Sequence, residues 1–421
     1  MRPEDLAHAA AADQADPLRT CREQFLFPKL RGEPVVYLAG NSLGLQPLKA
    51  RGYIEQELED WERHGVEGHL QARRPWLPYH EQLTEQVATL VGAKPIEVVV
   101  MNTLTVNLHL MLVSFYRPTV SRFKILMEAG AFPSDQYAVA SQVRFHGHSA
   151  ANAIVEVAPR PGEHSLREAD LRAVIEREGA QLALVLIGNV NYLTGQAFDM
   201  VALTEIAHRQ GALIGFDLAH GAGNLQIDLH AANPDFAVWC SYKYLNGGPG
   251  SLAGCFVHER HARTPGLPRF EGWWGHNKQT RFEMPHAFDP LPGAEGWQLS
   301  NPPIFQLAAL RASIELFAAA GMRALRRKSE ALTGYLETLL GRLPPGFCTQ
   351  LTPSDPAQRG AQLSLRFKGD PHRLLAELSE AGVICDFRAP DVIRVAPAPL
   401  YCSFRDVSRF ALALEAHGHA A

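Results

Sequence analysis

Short apolar runs alternate with helical patterns between about residues 90 and 260, and this alternation constrains the fold more than any other feature of the sequence. The runs are FKILMEAG, NAIVEVAP, QLALVLIGNV, ALIGFDLAH, DFAVWCSYK and LAGCFVHE. Strands that alternate with helices are typical of βαβ units, in which each helix crosses over to the next parallel strand. The sequence therefore predicts an α/β fold with a mostly parallel central sheet and flanking helices.

One intervening segment, SLREADLRAVIEREG, carries its own helix boundaries. Ser165 and Glu168 have the spacing of a capping box, in which the two side chains satisfy free backbone N–H groups at a helix start. Gly179 follows the last helical position, and glycine commonly ends a helix there. We predict a helix bounded by these residues.

The pattern changes after a loop-like stretch rich in proline, glycine and tryptophan. Two long amphipathic helices follow Asn301, with a break at Gly321, and after them come short strands and helices such as AQLSLRFKG and HRLLAELSEAG. We predict a large domain over residues 36–300 and a smaller α+β C-terminal domain over residues 301–421. An N-terminal segment, residues 1–35, is expected to pack with the small domain.

Composition narrows the classes of function. The 421 residues are 46% hydrophobic and 20% charged, with a formal net charge of -4, so the chain lacks the basic excess of a nucleic-acid binder. Apolar runs are shorter than the roughly 20 residues that span a bilayer, and acidic residues interrupt the N-terminus where a signal peptide is apolar. We predict a cytoplasmic protein with no nucleic-acid or membrane partner.

Cysteine and histidine spacing argues against a metal site. The six cysteines include no C-x-x-C pair, which is typical of reduced thiols and not of a disulfide frame or a zinc site. His146 and His148 in FHGHSA have no third ligand at a recognisable spacing. No metal is predicted.

Asp217 and Lys243 each follow an apolar run, at the C-terminal end of a predicted strand. In an open parallel sheet, ligands bind at that edge. A buried aspartate can hold a pyridinium nitrogen charged, and a desolvated lysine can bond an aldehyde, which together are what pyridoxal phosphate needs. Taken singly, the aspartate is more typical of a turn or a helix cap, and the lysine is more typical of a solvated charge. The later glycines, NGGPGSLAG, do not open a helix and give little support to a nicotinamide cofactor.

A set of long, unusual motifs covers nearly the whole chain. They are YLAGNSLGLQP, RRPW, NTLTVNLHLML, AFPSDQYAVASQ, LTGQAFD, GFDLAHGAGN, CSYKYLNGGPGSLAG, GWWGH, LSNPP and IRVAPAPLY. In these motifs the sequence resembles the kynureninases, pyridoxal phosphate enzymes of the large aspartate aminotransferase-like fold group (fold type I). The resemblance implies a pyridoxal phosphate-binding large domain of the transferase type.

The resemblance also implies which residues bind the cofactor. Lys243 is expected to carry it covalently, Asp217 to pair with its pyridine nitrogen, and His220 to lie near the ring. Its phosphate is expected at the helix start formed by Leu104 and Thr105, where backbone N–H groups can face an anion. The segment that frames the cofactor is Phe132, Pro133, Ser134 and Asp135. No contact is transferred to Gly188, because family members vary at that position.

Further roles follow from the same resemblance. Tyr242 is expected to contact the phosphate and to donate a proton, if the cofactor environment lowers the pKa of its phenol. Arg394 is expected to hold the substrate carboxylate, and the substrate pocket is expected to include Asn41, Ser42 and His69. Trp273 and Asn301 are expected to reach the cofactor phosphate of a neighbouring subunit, which implies a homodimer with shared active sites.

The implied reaction is the hydrolysis of L-kynurenine to anthranilate and L-alanine, with 3-hydroxy-L-kynurenine as a second candidate substrate. One alternative is another enzyme of the same fold, a cysteine desulfurase or a class V aminotransferase. A desulfurase needs a cysteine on a mobile loop, and Cys348 lies at the start of the small domain instead. The other alternative is a non-catalytic binding protein on this fold, which would show no turnover.

Overall fold

The computed structural model describes residues 3–264 and 266–420 of the chain. Its strands in chain order are β1 (Phe25–Leu26), β2 (Lys29–Leu30), β3 (Glu33–Pro34), β4 (Val36–Tyr37), β5 (Gln46–Pro47), β6 (Val98–Met101), β7 (Lys124–Glu128), β8 (Ile154–Val157), β9 (Leu182–Gly188), β10 (Leu213–Asp217), β11 (Phe236–Cys240), β12 (Ala253–Val257), β13 (Cys348–Gln350), β14 (Leu363–Phe367), β15 (Val383–Ile384), β16 (Asp386–Arg388) and β17 (Val392–Val395).

The α-helices lie between and after these strands, and short 3-10 turns connect several of them. In chain order they are α1 (Pro3–Ala15), α2 (Ala50–His64), α3 (Gly68–Gln71), α4 (Glu81–Val91), α5 (Leu104–Phe115), α6 (Pro133–Phe145), α7 (Ala150–Ala153), α8 (Glu168–Glu178), α9 (Met200–Arg209), α10 (Leu229–Ala232), α11 (Ile304–Ala320), α12 (Met322–Leu340), α13 (Pro371–Glu380) and α14 (Phe404–Ala420).

The central sheet has the strand order β6-β12-β11-β10-β9-β7-β8. Strand β12 runs antiparallel to both of its neighbours, and the other pairs are parallel. The predicted α/β fold with a mostly parallel sheet is therefore confirmed, and all six apolar runs form strands. The analysis of the sequence missed β6, a four-residue strand that pairs only with β12.

Helices cover both faces of this sheet, which explains why its strands read as continuous apolar runs. The first six residues of β9 are buried, as is every residue of β11 and β12. Strands buried on both faces do not alternate polar with apolar residues. Burial of these side chains fixes the sheet rigidly, so the polar residues at its edge have defined positions.

The capping box predicted for the helix α8 is wrong. The helix begins at Glu168 after Arg167, without a side-chain cap. The Ser165 hydroxyl instead donates to the backbone oxygen of Leu351, in the C-terminal part of the chain. The Ser165 hydroxyl therefore makes a tertiary contact instead of capping the helix as the local pattern predicts. The end at Gly179 agrees with the sequence.

The C-terminal part contains an antiparallel sheet of order β13-β14-β17-β16. Helices α11 and α12 break at Gly321, whose φ of 76° favours glycine, as the sequence predicts. Helix α1 packs on α14, and Arg22 pairs with Asp406 at 2.5 Å. Strand β4, at the start of the predicted large domain, pairs with β15. The predicted domain boundaries stay a prediction.

One bent pair of helices, taken together, has the length and apolar composition of a membrane span. No single helix among the described residues is long and apolar enough to cross a bilayer. Helices α11 and α12 meet the length and composition criteria only when taken together, and they bend by 84° at their junction.

Candidate active site

Four strands of the central sheet bring residues of one pocket to the same edge of the sheet. Glu128 ends β7, Gly188 ends β9 and Asp217 ends β10, while Lys243 follows the end of β11. Parallel strands end at the same edge, so these residues meet there. They line one pocket, and the predicted residues that line it are Leu104, Thr105, Phe132, Ser134, Asp135, Asp217, His220, Tyr242 and Lys243. The sheet thus assembles most of the predicted cofactor site.

Lys243 points its amine into this pocket. Its Nζ atom lies 3.1 Å from Nε2 of His220, and 5.7 Å from the ring centroid of Phe132. Burial, with the nearby Lys243 charge, lowers the pKa of His220 well below its usual range. The imidazole is therefore neutral at neutral pH, and it can exchange a hydrogen bond with the lysine amine without adding charge.

Asp217 and Asp135 form a buried carboxyl pair. Burial raises the pKa of Asp217, while a hydrogen bond from Asp135 opposes that rise. Burial and the Asp217 charge raise the pKa of Asp135 well above its usual range. Asp217 also accepts a hydrogen bond from the backbone N–H of Ala219 at 2.6 Å. Asp135 is thus the proton donor of the pair, and Asp217 keeps the negative charge.

The start of α5 offers free backbone donors to the same pocket. The residue before the helix, Thr103, makes no side-chain hydrogen bond to its first turn. The N–H groups of a helix start lack intrahelical partners and favour an anion. With the Lys243 amine, the Asp217 carboxylate and the Phe132 ring, this donor set fits the phosphate, pyridine nitrogen, aldehyde and ring of pyridoxal phosphate. The cavity itself is small, ≈ 60 Å³ with the side chains in these positions.

The phenol of Tyr242 is held in its protonated form. Burial raises the pKa of Tyr242 above its usual value, and a hydrogen bond with the Cys240 side chain adds to the rise. The Lys243 amine lies 5.9 Å from the centroid of the Tyr242 ring. The lowering of this pKa by the cofactor environment stays a prediction.

Arg394 lies beside the pocket, on β17, and is 1% exposed. Its Nε donates to Asp386 Oδ1 at 2.9 Å, and Nη2 lies 2.7 Å from the same oxygen. Its Nη1 donates to the backbone oxygen of Tyr192 at 2.6 Å. Tyr192 itself lines the pocket, which places the guanidinium beside it.

The other predicted substrate residues do not line the pocket within this chain. Asn41 is buried and donates to Oε1 of Gln362 at 2.9 Å, and Ser42 bonds the backbone of Ala39. The ring of His69 packs edge-on against Trp76, with centroids 5.5 Å apart. Their contact with substrate stays a prediction.

Trp273 and Asn301 lie outside the pocket, on the surface of the chain. Trp273 is 42% exposed and donates through Nε1 to the backbone oxygen of Arg281 at 3.2 Å. Asn301 is exposed just before α11. Pro133 starts α6 behind the pocket-lining Phe132 and is itself exposed.

The pocket contains residues that the analysis of the sequence missed. They are Glu128, Gly188, Val190, Tyr192 and Ala219. Glu128 carried the same signal as Asp217, an acidic residue at the end of an apolar run. The ring of Tyr192 packs edge-on against Phe132, with centroids 5.2 Å apart, and nothing in the local sequence marks that contact.

Possible metal-ligand groups lie elsewhere in the described residues. One combines Glu97, His230 and His258, and another combines His80, Glu81 and Glu295. In the second group the Lys278 amine already lies 3.0 Å from Glu81 and 2.7 Å from Glu295, so a cation is in place. His148 stacks on Phe123 and His146 packs edge-on against Tyr116.

Comparison with known proteins identifies the family. The family described as "Kynureninase C-terminal domain" matches residues 325–414. The kynureninase of Myxococcus xanthus is 68% identical over 97% of this chain and 96% of that protein, and the kynureninase of Koribacter versatilis is 57% identical over 96% and 95%. The chain belongs to the kynureninase family. Its predicted pyridoxal phosphate cofactor and its class, a hydrolase acting on carbon–carbon bonds, are thereby confirmed.

Solved structures agree on the fold alone. A cysteine desulfurase from Thermococcus onnurineus has a TM-score of 0.75 at 17% identity, covering 92% of this chain and 95% of its own. A cysteine desulfurase from Escherichia coli has a TM-score of 0.75 at 18% identity, covering 95% and 98%. Desulfurases are therefore distant neighbours, whereas kynureninases match the sequence along its length. The predicted cytoplasmic location stays a prediction.

Proposed function

We propose that this chain hydrolyses L-kynurenine to anthranilate and L-alanine. The observation that carries the proposal is the convergence of Lys243, Asp217 and His220 in one pocket of a kynureninase-family chain. Bound pyridoxal phosphate supplies an aldehyde for the substrate amine and a protonated ring that draws electrons from Cα. The remaining chemistry belongs to the side chains around it.

Lys243 is the base of the proposed reaction. Its free amine would take the proton from the substrate Cα. The neutral His220, 3.1 Å from Nζ, keeps the amine oriented and does not compete for the proton. Asp217, which receives a hydrogen bond from Asp135, keeps the charge that holds the ring nitrogen protonated.

Arg394 has the donors to hold the substrate carboxylate. A guanidinium carries five N–H donors, and Asp386 together with the Tyr192 carbonyl engages up to three of these. Two remain, which matches the two oxygens of a carboxylate. Asp386 fixes the plane of the guanidinium from the opposite edge.

Tyr242 suits the role of proton donor because its phenol stays protonated. Water adds to the γ-carbonyl of kynurenine, the Cβ–Cγ bond breaks, and anthranilate leaves with the carboxyl group that forms. The Cβ atom of the alanine product then needs a proton. The raised pKa of Tyr242 keeps that proton available at neutral pH.

We further infer a homodimer with shared active sites. Trp273 and Asn301 are exposed in this chain and do not line its own pocket, which leaves them free to reach a second subunit. A second apolar cavity, ≈ 720 Å³, lies between the GNSLGLQP segment and α2 and supports a partner surface there. Analytical ultracentrifugation tests the dimer, and a monomer that keeps full activity would contradict it.

The test of the function is a turnover assay. The purified protein is given pyridoxal phosphate, and the fluorescence of the product is followed, anthranilate with L-kynurenine and 3-hydroxyanthranilate with 3-hydroxy-L-kynurenine. Lys243→Ala should lose at least about 10³-fold in rate, because covalent and base catalysis both need its amine. The matched control is Lys29→Ala, at an exposed lysine of β2. A protein that binds the cofactor but releases no anthranilate would contradict the proposal.

A further inference from the structure

The cofactor pocket contains a third acidic side chain, Glu128, to which the proposed reaction gives no role. It ends β7, is 4% exposed and lines the same pocket as Lys243. A buried carboxyl group with no part in the fold or the chemistry would only destabilise the protein. Its surroundings therefore indicate what it does.

The sheet places Glu128 and Asp217 on either side of a glycine. Asp217 is paired with Gly188 across β10 and β9, and β7 is the next strand beyond β9. A Cβ atom on Gly188 would lie 3.0 Å from Oε1 of Glu128. The carboxyl group of Glu128 thus occupies the space that a side chain at position 188 would take, and the two acids flank a strand end that has no side chain.

Burial and the two other acids of the pocket, Asp135 and Asp217, favour the neutral form of Glu128, whereas its hydrogen-bond donors favour the charged form. Its Oε2 accepts a hydrogen bond from Nδ2 of Asn191 at 3.0 Å. Burial raises the pKa of Glu128 to about 7, and the Asp217 charge adds to the rise, while the bonds from Asn191 and the Gly188 backbone oppose it. The titratable groups that share the pocket are Asp135, Asp217, His220, Tyr242 and Lys243.

We propose that Glu128 is a positioning residue of the cofactor pocket: a neutral carboxylic acid that fills the space over Gly188, fixes Asn191 and leaves the negative charge of the pocket on Asp217. The proposal rests on the proposed function, because the value of a single charge depends on Lys243 acting as a base. A second carboxylate at this edge would hold the Lys243 amine as an ammonium ion and would oppose the Cα proton transfer.

The first test observes the proton on Glu128 directly. Infrared spectra of the full-length protein near pH 6 are compared for the wild type and Glu128→Gln, and the protonated-carboxyl C=O absorption should be weaker in the variant, where the contribution of Asp135 remains. Glu156→Gln, at an exposed position of the neighbouring strand β8, is the matched control and should keep the full wild-type intensity. If the absorption of Glu128→Gln is as strong as that of the wild type, Glu128 is ionised and the proposal is wrong. This readout does not depend on turnover.

The second test measures the pH profile of the holoenzyme. Ionisation of Glu128 should make kcat/KM about ten times higher at pH 6 than at pH 8, as expected for one group with a pKa near 7. Glu128→Gln should remove that factor, and Glu156→Gln should keep it. An unchanged ratio in Glu128→Gln would overturn the positioning role.

Gly188→Ala keeps the second test usable if Glu128→Gln does not fold. The added Cβ crowds Oε1 of Glu128, so the same pH ratio should shift while Glu128 itself is unchanged. An unshifted ratio there counts against the proposal. If the wild type releases no anthranilate, the proposed function fails, while the infrared band still decides whether Glu128 is protonated.

Discussion

Two buried aspartates lie at opposite edges of the same sheet and have opposite chemistry. Asp235 precedes β11 and is 1% exposed, and Asp217 ends the neighbouring β10 and is 7% exposed. Burial acts on both carboxyl groups in the same direction. Hydrogen bonds from His208, His261 and Arg260 outweigh it at Asp235, so the pKa of Asp235 falls below its usual range, whereas the pKa of Asp217 rises.

The difference separates a structural charge from a functional one. The oxygens of Asp235 accept from Arg260 at 2.7 Å, His261 at 2.8 Å, His208 at 3.0 Å and the backbone N–H of Ile214 at 2.7 Å. Asp217 has the Ala219 N–H and the proton of Asp135, with Lys243 as the nearby cation. The charge of Asp235 is satisfied by partners within the fold, whereas the charge of Asp217 remains available to a ligand.

The largest expected effect is on stability, in Asp235→Asn. The amide cannot balance the cationic partners that surround position 235, and breaking a buried ion pair costs about 3–5 kcal/mol. Urea denaturation should show a correspondingly lower midpoint, while turnover of the folded variant changes little because the site is at the other edge. Wild-type stability in Asp235→Asn would mean that the two aspartates are equivalent.

Asp217→Asn should have the reverse effect. Loss of a preorganised charge at the reacting centre costs about 10²–10³ in kcat, measured by anthranilate fluorescence. The free energy of unfolding should not fall, because burial penalises the charge that the amide removes. A variant that loses stability as much as Asp235→Asn does would break the distinction between the two edges.

Sequence reasoning found Asp217 and Lys243 because each ends an apolar run, and a parallel sheet brings such ends together. It passed over Glu128, which has the same pattern, because the motif that carries the resemblance begins only three residues later, at Ala131. The neutral form of Glu128 depends on its burial and on the charge of Asp217, and its close neighbours Asn191 and Gly188 are more than 50 positions away in the sequence. No local pattern reports such contacts.

The failed prediction of a capping box has a physical cause. Ser165 has the spacing of a helix cap, but its hydroxyl bonds Leu351 from the C-terminal part of the chain. The type of side chain was read correctly, and its hydrogen-bond partner was set by tertiary packing.

The free energy of unfolding, measured as a function of pH, should report on a carboxyl group at each edge of the sheet, Glu128 and Asp235. The pKa of Glu128 is raised to about 7 from an unfolded value near 4.3, so its contribution is full below that lower value and is lost as pH rises through 7, about 4 kcal/mol in all. Asp235 has a depressed pKa, so its contribution is full above its unfolded value and is lost as pH falls in acid.

Urea midpoints of the cofactor-free chain between about pH 3 and pH 9 test this profile. Glu128→Gln should flatten the decline on the neutral side and leave the acid side unchanged, and Asp235→Asn should flatten the acid side. Equal changes on both sides in either variant would show that the two carboxyl groups are not independent.

The smallest effect is expected for His208→Ala, which removes one of several partners of Asp235. Arg260 and His261 remain, so the loss should be about 1.5 kcal/mol, the value of one hydrogen bond to a charged group. The pKa of Asp235 should rise, and acid unfolding should begin at a higher pH, because less of its depression remains. His164→Ala, at an exposed histidine, is the matched control. If His208→Ala lowers the free energy of unfolding as much as Asp235→Asn does, the partners of Asp235 act as one unit. Stability at this edge of the sheet then depends on the complete hydrogen-bond network rather than on the charge of Asp235 alone.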